Sequence, residues 1–455
     1  MEANYDAFSR EKDAKAVREA IGENKKYHIV TYGCQMNVRD GETAAGMLEE
    51  MGFAKAESRE EADIVLFETC CVRENAENRA LGNVIWLKEL KKVKPDLLIA
   101  VGGCMTQEPG MAERIRKQYP FVDIVFGTHN LYRLTYLVRE AIEGRRAIEV
   151  LSEGGLQEGL PAKRNSSFSA FVNIMYGCNN FCSYCIVPYV RGRERSRSAQ
   201  DILDEVKRLQ DSGVKEVTLL GQNVNSYQGG GAEFANLLSK INDTGIERIR
   251  FMTSHPKDLS DELIAAYGEL EHLCGHLHLP VQSGSNRILE MMNRRYTREK
   301  YLDLVKRLRA VRPEIGLTSD IIVGFPGETE EDFQDTMSLA REVRYDSAFT
   351  FIYSPRPGTK AATMPDATPA EEKVRRIEEL IALQLANTAE MLKGQIGKVE
   401  KVLVESASER SEGSVMGKTS RFLAVNFPGK EELIGKFVDV KITGAGKNTL
   451  KGEMI

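Results

Sequence analysis

The first third of the chain alternates short apolar segments with longer amphipathic ones. Four apolar segments have the length and composition of β-strands: residues 27–32, 63–67, 97–101 and 122–126. Between the second and third, Leu81, Val84, Leu87 and Leu90 recur at helical spacing, which predicts an amphipathic helix. This alternation of strands and helices predicts a parallel sheet covered by helices, in a domain of about residues 26–145.

The same alternation resumes after a segment rich in glycine, serine and charged residues. Residues 152–167 have no hydrophobic periodicity and are predicted to be a linker. Six strand segments follow, separated by helical ones: residues 169–175, 216–221, 248–253, 276–281, 318–323 and 348–353. Six βα units fall short of the eight of a closed barrel, so residues 164–393 are predicted to form a partial (β/α)6 barrel.

The last part of the chain has a different pattern. A long charged helix is predicted over residues 370–393, and five short alternating segments follow it: residues 398–405, 415–417, 424–427, 437–443 and 450–454. Short strands at this interval predict a small β-barrel over residues 394–455, and small barrels often bind oligonucleotides. The predicted fold class is therefore α/β, with an N-terminal parallel α/β domain, a central partial barrel and a small C-terminal β-barrel.

Composition limits the kind of protein this can be. Of the 455 residues, 42% are hydrophobic and 28% are charged, which is ordinary for a globular protein. No apolar segment reaches the length of a membrane span, and residues 1–26 lack the apolar core of a secretory signal. We therefore expect a cytoplasmic protein with no membrane partner. Because the net charge is −5, any RNA contact must use local basic patches.

Eight cysteines in a protein of a reducing compartment indicate metal binding or catalysis before disulfides. Three of them, Cys178, Cys182 and Cys185, form a C-x₃-C-x₂-C motif just after a predicted strand. Thiolates suit zinc or iron–sulfur clusters, and a 4Fe–4S cluster bound by three cysteines keeps one iron open to another ligand. The alternative is a structural zinc site that uses Cys274 or a histidine as its fourth ligand.

Three further cysteines each follow a predicted strand of the first domain. Cys34, Cys70 and Cys104 are separated by nearly equal intervals, one βα unit each. Because the carboxyl ends of parallel strands share one edge of a sheet, these thiols are predicted to converge in a second three-thiolate site. Three unrelated buried cysteines are the alternative. Cys71, adjacent to Cys70, is predicted to point elsewhere and to be structural.

The motif around Cys178 resembles the radical S-adenosylmethionine (SAM) signature, and the string from Tyr176 to Gly192 is similar to the methylthiotransferase branch of that superfamily. Residues 32–37 and 101–104 resemble the tRNA-modifying, MiaB-type subgroup of this family. Glu68 departs from the asparagine that the family more often has at its position. Residues 416–422 and 425–427 resemble the TRAM module, an RNA-binding appendage of the family.

The resemblance implies a radical SAM methylthiotransferase whose cofactors are two 4Fe–4S clusters and SAM. The SAM-cleaving cluster would be bound by Cys178, Cys182 and Cys185, and a second, sulfur-carrying cluster by Cys34, Cys70 and Cys104. The implied reaction converts N6-isopentenyladenosine next to the anticodon of tRNA to its 2-methylthio derivative. The implied partners are a tRNA anticodon stem-loop that carries isopentenyladenosine and a low-potential electron donor, and we expect a monomer.

The resemblance also assigns contacts to SAM, and a basic strip beside the cysteine motif predicts contacts to RNA. Gln222, Gln282 and Asp320 are predicted to bind SAM, although polar residues at strand ends are also ordinary helix caps and turn residues. Arg191 and Arg193 belong to a basic strip after the cysteine motif and are predicted to meet RNA phosphates, with ion pairing inside the protein as the alternative.

In the TRAM-like segment, Arg421 and Phe422 are predicted to contact RNA, because a basic residue can bind phosphate and an aromatic ring can stack on a base. The alternative is that Phe422 and Phe427 fill the small barrel.

Two other functions remain open from the sequence. One is the sister enzyme class that methylthiolates a residue of a ribosomal protein, although residues 35–37 and 220–227 favour tRNA by resemblance. The other is a non-catalytic iron–sulfur protein that binds RNA. A protein of that kind would yield no 5′-deoxyadenosine from SAM and a reductant.

Overall fold

The computed structural model describes residues 5–71, 74–154, 159–408 and 411–455, so residues 155–158 of the predicted linker lie outside the described residues. The chain forms two compact units. Unit 1 comprises Met1–Asn165, Tyr176–Asn179 and Ile186–Arg195, and unit 2 comprises Ser166–Met175, Asn180–Cys185 and Ser196–Ile455. The cysteine motif therefore contributes Cys178 to unit 1 and its other two cysteines to unit 2. The predicted boundaries at residues 26–145, 164–393 and 394–455 stay predictions.

Unit 1 is built on a six-stranded parallel sheet with the order β2-β1-β3-β4-β5-β6. Its strands are β1 (Lys26–Thr31), β2 (Ala54–Lys55), β3 (Ile64–Thr69), β4 (Leu98–Gly103), β5 (Ile124–Phe126) and β6 (Ala147–Glu149). Its helices are α1 (Ala7–Ile21), α2 (Gln35–Glu50), α3 (Glu74–Val93), α4 (Met111–Gln118), α5 (Leu134–Ile142) and α6 (Val187–Val190). Every residue of β3 is buried, as expected for a central parallel strand covered on both faces.

Unit 2 contains six parallel strands at the predicted positions: β7 (Ser169–Asn173), β10 (Glu216–Leu220), β13 (Arg248–Phe251), β14 (His276–His278), β15 (Gly316–Val323) and β16 (Ser347–Ile352). They form the sheets β13-β10-β7 and β14-β15-β16, which a parallel bridge between Ile249 and Leu273 joins. The predicted partial barrel is thereby confirmed. Between these strands lie the short strands β8 (Met175–Tyr176), β9 (Arg195–Ser196), β11 (Gln228–Gly229) and β12 (Ala232–Glu233).

Seven helices accompany these strands: α7 (Ala199–Asp211), α8 (Phe234–Asn242), α9 (Asp261–Glu269), α10 (Asn286–Met291), α11 (Arg298–Val311), α12 (Glu330–Val343) and α13 (Ala370–Lys393). Several begin at a serine or threonine whose hydroxyl accepts a backbone N–H of the first turn, as Ser198, Ser260, Thr297 and Thr329 do. Each of these four caps fixes the residue at which its helix begins.

The end of unit 2 is a closed five-stranded barrel with the order β17-β18-β19-β21-β20. Its strands are β17 (Val399–Ala407), β18 (Ser414–Lys418), β19 (Ala424–Pro428), β20 (Phe437–Ala445) and β21 (Leu450–Met454). Val402, Val415, Val425 and Phe427 fill its interior, so Phe427 packs in the barrel, as the alternative interpretation held. The predicted α/β fold class with a small C-terminal barrel is confirmed. None of the described helices combines the length and the apolar character needed to cross a membrane.

Candidate active site

The thiols of unit 1 lie at the carboxyl ends of three neighbouring strands. Cys34 follows β1 and is the N-cap of α2, Cys70 follows β3, and Cys104 follows β4. The Cys104 N–H donates to the Thr69 carbonyl at 2.9 Å, which ties the ends of β3 and β4 together. Gly33 has a φ of +110°, and a Cβ there would lie only 2.7 Å from the Cys70 Sγ. The first loop therefore approaches the second thiol closely because a glycine precedes Cys34.

Asn37 lies between two of these thiols. Its Oδ1 accepts from the Cys34 Sγ at 3.3 Å and lies 3.9 Å from the Cys104 Sγ. Its Nδ2 donates to the Thr69 carbonyl at 2.6 Å, which fixes the orientation of the amide. Cys34, Asn37 and Asp40 are three residues apart and therefore share one face of α2. Sequence analysis missed Asn37 and Asp40 as site residues, although this spacing from a cysteine at a helix start is a signal that could have found them.

A buried arginine enters the same site. Arg191, which is 4% exposed, donates from Nε to the Cys104 Sγ at 3.2 Å and from Nη2 to the Asn37 Oδ1 at 3.3 Å. Its Nη1 pairs with the Asp40 carboxylate at 2.7 Å. Burial opposes the charged form, but Asp40 and the thiols raise the pKa of Arg191 above its usual value. The predicted RNA contact of Arg191 stays a prediction, and this buried ion pair favours its alternative, pairing inside the protein.

Cys71 and Glu68 are buried beside the same thiols. A hydrogen bond with Cys71, together with the Arg191 guanidinium, lowers the pKa of the Cys104 thiol. The prediction that Cys71 points away from the other thiols is therefore wrong, because Cys71 hydrogen-bonds to Cys104. The Cys71 side chain is fully buried. Burial and the nearby Asp40 raise the pKa of Glu68, which favours its neutral form. Its Oε2 is buried and has no hydrogen-bond partner among the described residues.

The C-x₃-C-x₂-C motif is held by backbone contacts in both units. In unit 1, the Cys178 N–H donates to the Gly192 carbonyl at 3.1 Å. In unit 2, the Cys185 N–H donates to the Cys182 carbonyl at 2.9 Å, which closes a tight backbone turn between these two cysteines. The Asn293 amide, from the turn after α10, donates to the carbonyls of residues 180 and 181 at 3.1 and 3.0 Å.

A second buried arginine contacts the motif within unit 2. The Arg294 Nη1 donates to the Cys182 Sγ at 3.4 Å, and its Nη2 donates to the Pro280 carbonyl at 2.8 Å. Its Nε donates to the Tyr296 hydroxyl at 3.1 Å. Sequence analysis missed Arg294, because nothing local to its position indicates a contact with a cysteine more than a hundred residues away.

The residues assigned to SAM lie near the carboxyl half of the partial barrel. Gln222 follows β10, and Gln282 follows β14 with a φ of +70°. The Gln282 N–H donates to the Asp320 carbonyl at 2.9 Å, so these two residues are neighbours. Asp320 lies inside β15 rather than at its end, and its Oδ2 is 3.6 Å from the His278 Nε2.

Buried polar atoms without a partner mark the same region. Among the described residues of unit 2, the Asn223 Oδ1, Ser254 Oγ, His255 Nε2 and Ser183 Oγ are buried and have no hydrogen-bond partner. Burial and the Arg294 charge lower the pKa of His255 far below its usual range, so its ring is neutral near neutral pH. Buried polar atoms in proteins are nearly always paired, so this group fits a polar ligand such as SAM.

The alternative zinc site has no support in unit 2. Cys274 precedes β14 at the opposite end of the strands from the motif, where it neighbours Arg250 and Ser420. In the part of the chain that the structure describes, no three His, Cys, Asp or Glu side chains converge on one metal ion. A 4Fe–4S cluster needs a wider arrangement, with each thiolate on a different iron. The thiols of unit 1 at one sheet edge, the glycine beside Cys70 and the donor aimed at Cys104 fit that group.

The two side chains of the small barrel that are predicted to contact RNA have partners inside unit 2. Arg421 donates from Nε and Nη2 to the Asp346 carboxylate at 2.6 and 2.7 Å. The Phe422 ring lies 5.2 Å from the His276 ring and 4.7 Å from the Arg250 guanidinium. Arg250 lies within β13, His276 begins β14, and Asp346 directly precedes β16. Both side chains pack on the partial barrel, and their predicted RNA contacts stay predictions. Arg193 is exposed on unit 1.

Three family models match successive parts of the chain. Residues 26–127 match the Uncharacterized protein family UPF0004, residues 172–340 match the Radical SAM superfamily, and residues 393–455 match the TRAM domain.

Curated relatives match nearly the whole chain. A tRNA-2-methylthio-N(6)-dimethylallyladenosine synthase of Thermoanaerobacter sp. (strain X514) is 52% identical over 454 residues, which cover 98% of this chain and 96% of that protein. The chain belongs to this family. The synthase of the same name from Alkaliphilus oremlandii (strain OhILAs) is 54% identical over 441 residues, covering 95% of this chain and 93% of that protein. The predicted family is thereby confirmed, and membership implies SAM and 4Fe–4S chemistry.

A solved structure shows the same fold at low identity. The radical S-adenosylmethionine methyltransferase TsrM from Kitasatospora setae, with cobalamin and a [4Fe-4S] cluster bound, aligns with a TM-score of 0.55 at 15% identity. The alignment covers 74% of this chain and 77% of that one. At this identity the likeness supports the fold alone.

Proposed function

We propose that this protein is a radical SAM methylthiotransferase that converts N6-isopentenyladenosine next to the anticodon of tRNA to its 2-methylthio derivative. The observation that carries the proposal is the site formed by Cys34, Cys70 and Cys104 at one sheet edge, distinct from the cysteine motif of the radical SAM family. A protein that only cleaves SAM needs one set of thiols, whereas sulfur insertion needs a second place to hold sulfur.

When bound, SAM and the two 4Fe–4S clusters supply the radical that activates the adenine C2–H bond and the methylthio sulfur that replaces the hydrogen. In our proposal, each cysteine binds one iron and each trio leaves one iron for another ligand. The SAM-cleaving cluster is bound by Cys178, Cys182 and Cys185, and the sulfur-carrying cluster by Cys34, Cys70 and Cys104.

The polar residues of unit 2 are proposed to bind the amino-acid and ribose parts of SAM. Gln222, Gln282 and Asp320 supply amide and carboxylate groups, and the neutral His255 ring supplies a nitrogen at Nε2 that needs a partner. Arg294 orients Cys182 through its contact with the Sγ. The His255 ring is oriented before any ligand binds, because its Nδ1 accepts from the Lys257 N–H at 3.2 Å, and this lowers the cost of ordering the site.

The substrate is proposed to enter as a flipped base. A C2 atom inside a stacked helix is out of reach, so the adenine must leave its stack to meet the site. Arg193 is the member of the predicted RNA set that the structure leaves exposed on its unit, and we propose that it meets backbone phosphate. We also propose that the protein is a cytoplasmic monomer and that it takes electrons from a low-potential donor.

The test is a reaction with a defined RNA. Anaerobically reconstituted protein, SAM and dithionite are incubated with an isopentenylated anticodon stem-loop, and the nucleosides are analysed by mass spectrometry. We expect the modified adenosine to gain one methylthio group, and the same stem-loop with unmodified adenosine serves as the control. If the RNA stays unchanged while a ribosomal-protein peptide is methylthiolated, the protein belongs to the sister class. If the iron-loaded protein forms no 5′-deoxyadenosine, the result supports the alternative of a non-catalytic iron–sulfur protein that binds RNA.

A further inference from the structure

The segment that follows the cysteine motif in sequence is built into unit 1. Ile186 and Val190 lie in the apolar cluster that also contains Cys71 and Cys104. The Thr128 hydroxyl donates to the Val190 carbonyl at 2.5 Å, which anchors the end of α6. This anchoring carries the next residue, Arg191, into the thiol site at a fixed position.

Each nitrogen of the Arg191 guanidinium has a separate partner. Nε faces the Cys104 Sγ, Nη2 faces the Asn37 Oδ1, and Nη1 pairs with Asp40. Asp40 is itself only 7% exposed, so the ion pair is screened little by water. A buried ion pair contributes little net stability compared with an apolar pair, so its presence here is not explained by folding alone.

We infer that Arg191 is a positioning residue that sets the reduction potential of the cluster proposed for Cys34, Cys70 and Cys104. The inference rests on the proposed function, because it takes from there the assignment of a cluster to these thiols. Potentials of iron–sulfur clusters depend on net charge, on hydrogen bonds to the sulfurs and on burial, and Arg191 acts on the first two.

The step affected is a one-electron reduction. One electron from the low-potential donor enters the cluster and adds one negative charge, and no bond is made or broken. The guanidinium charge and the N–H···S bond to Cys104 stabilise this added charge, so Arg191 favours the reduced form. Asp40 opposes it, because the carboxylate offsets part of the guanidinium charge.

Opposite signs are therefore expected for two substitutions at one ion pair. Arg191→Gln removes the positive charge and shifts the potential down, and Asp40→Asn removes the negative charge and shifts it up. At a fixed potential, Arg191→Gln should lower the ratio of reduced to oxidised cluster about tenfold or more. For a one-electron couple, tenfold corresponds to about 59 mV.

The test is a potentiometric titration of the full chain, read by electron paramagnetic resonance, with iron content measured in parallel. Each substitution is made together with Cys182→Ala, so that only the cluster of unit 1 reports. Arg191→Lys keeps the charge and should recover part of the shift. Arg116→Gln, an exposed arginine of α4 in the same unit, is the matched control and should leave the potential unchanged.

The inference is overturned if Arg191→Gln and Asp40→Asn shift the potential in the same direction, or not at all, while iron is retained. If Arg191→Gln does not bind iron, Asp40→Asn and Arg191→Lys decide by the sign of their shifts. A Cys182→Ala protein without any iron would instead overturn the cluster assignment in the proposed function, and the inference with it. The iron content therefore shows which statement is wrong. Loss of iron in Cys182→Ala alone contradicts the cluster assignment, whereas retained iron with the wrong shifts contradicts the role of Arg191.

Discussion

Arg250 fixes the segment of residues 418–422 onto the central strands of unit 2. Its side chain is 1% exposed, and Nη2 lies 3.1 Å from the Glu216 carboxylate. The guanidinium also donates to the Thr419 and Ser420 carbonyls at 3.2 and 3.1 Å, and it lies over the Phe422 ring. Replacing Arg250 by methionine, which has similar length, tests whether this segment is a packing surface rather than an RNA contact.

The expected loss follows from what the substitution leaves behind. Arg250→Met leaves a buried carboxylate and two carbonyls without their donor, and breaking a buried pair in this way costs about 3–5 kcal/mol. Arg250→Met combined with Glu216→Gln removes both charges and is expected to recover a large part of that loss. Since 1.4 kcal/mol is a factor of ten, the single substitution should increase the population of the open state, and with it the exchange rate, by roughly a hundredfold to a few thousandfold.

The assay is hydrogen exchange by mass spectrometry on peptides that cover residues 414–428. Tryptophan fluorescence is unsuitable, because Trp86, the single tryptophan of the sequence, lies in unit 1. Arg307→Met is the control, since its pair with Asp261 is solvated and surface ion pairs contribute little to stability. An exchange rate in Arg250→Met within about threefold of that in the control would refute the reasoning, because removing one partner of a buried ion pair is expected to be strongly destabilising.

Three further predictions test other parts of the structure. Gly33→Ala should lower the iron bound by unit 1, because the added Cβ would lie 2.4 Å from the Cys70 Cβ. Gly110→Ala is the control and should not lower it, because Gly110 also has a positive φ but an added Cβ there has no neighbour within 4 Å. Burial lowers the pKa of His276, so the stability from its neutral ring should be lost as pH falls below about 6.5, and urea unfolding of His276→Gln should depend less on pH. Arg294→Gln should slow 5′-deoxyadenosine formation about tenfold or more, measured by chromatography at saturating SAM.

The strands could be predicted from the sequence because each is a run of apolar residues between helical segments. β2 and β6 were missed, since segments of two and three residues carry too little pattern to detect. α1 was missed because residues 1–26 were considered only as a polar N-terminus. Ala14 and Val17, three residues apart on one face of α1, are buried.

The two cysteine sets could be predicted because a thiol after a strand has a place fixed by topology. The residues around them could not, since Arg191 and Cys104 are 87 positions apart and no local pattern links them. A basic residue beside an aromatic one predicts RNA binding and intramolecular packing equally well. For Arg421 and Phe422, the contacts with Asp346 and Arg250 show intramolecular packing, and such contacts depend on the fold rather than on a local pattern.

The central claim is that each cysteine trio binds its own cluster, and metal analysis tests it most directly. Anaerobically reconstituted protein is analysed for iron and acid-labile sulfide beside Cys70→Ala and Cys182→Ala. Two 4Fe–4S clusters predict about eight iron and about eight sulfide per chain, falling to about four of each in either variant. A protein that binds about four of each, unchanged by Cys70→Ala, would contradict the account.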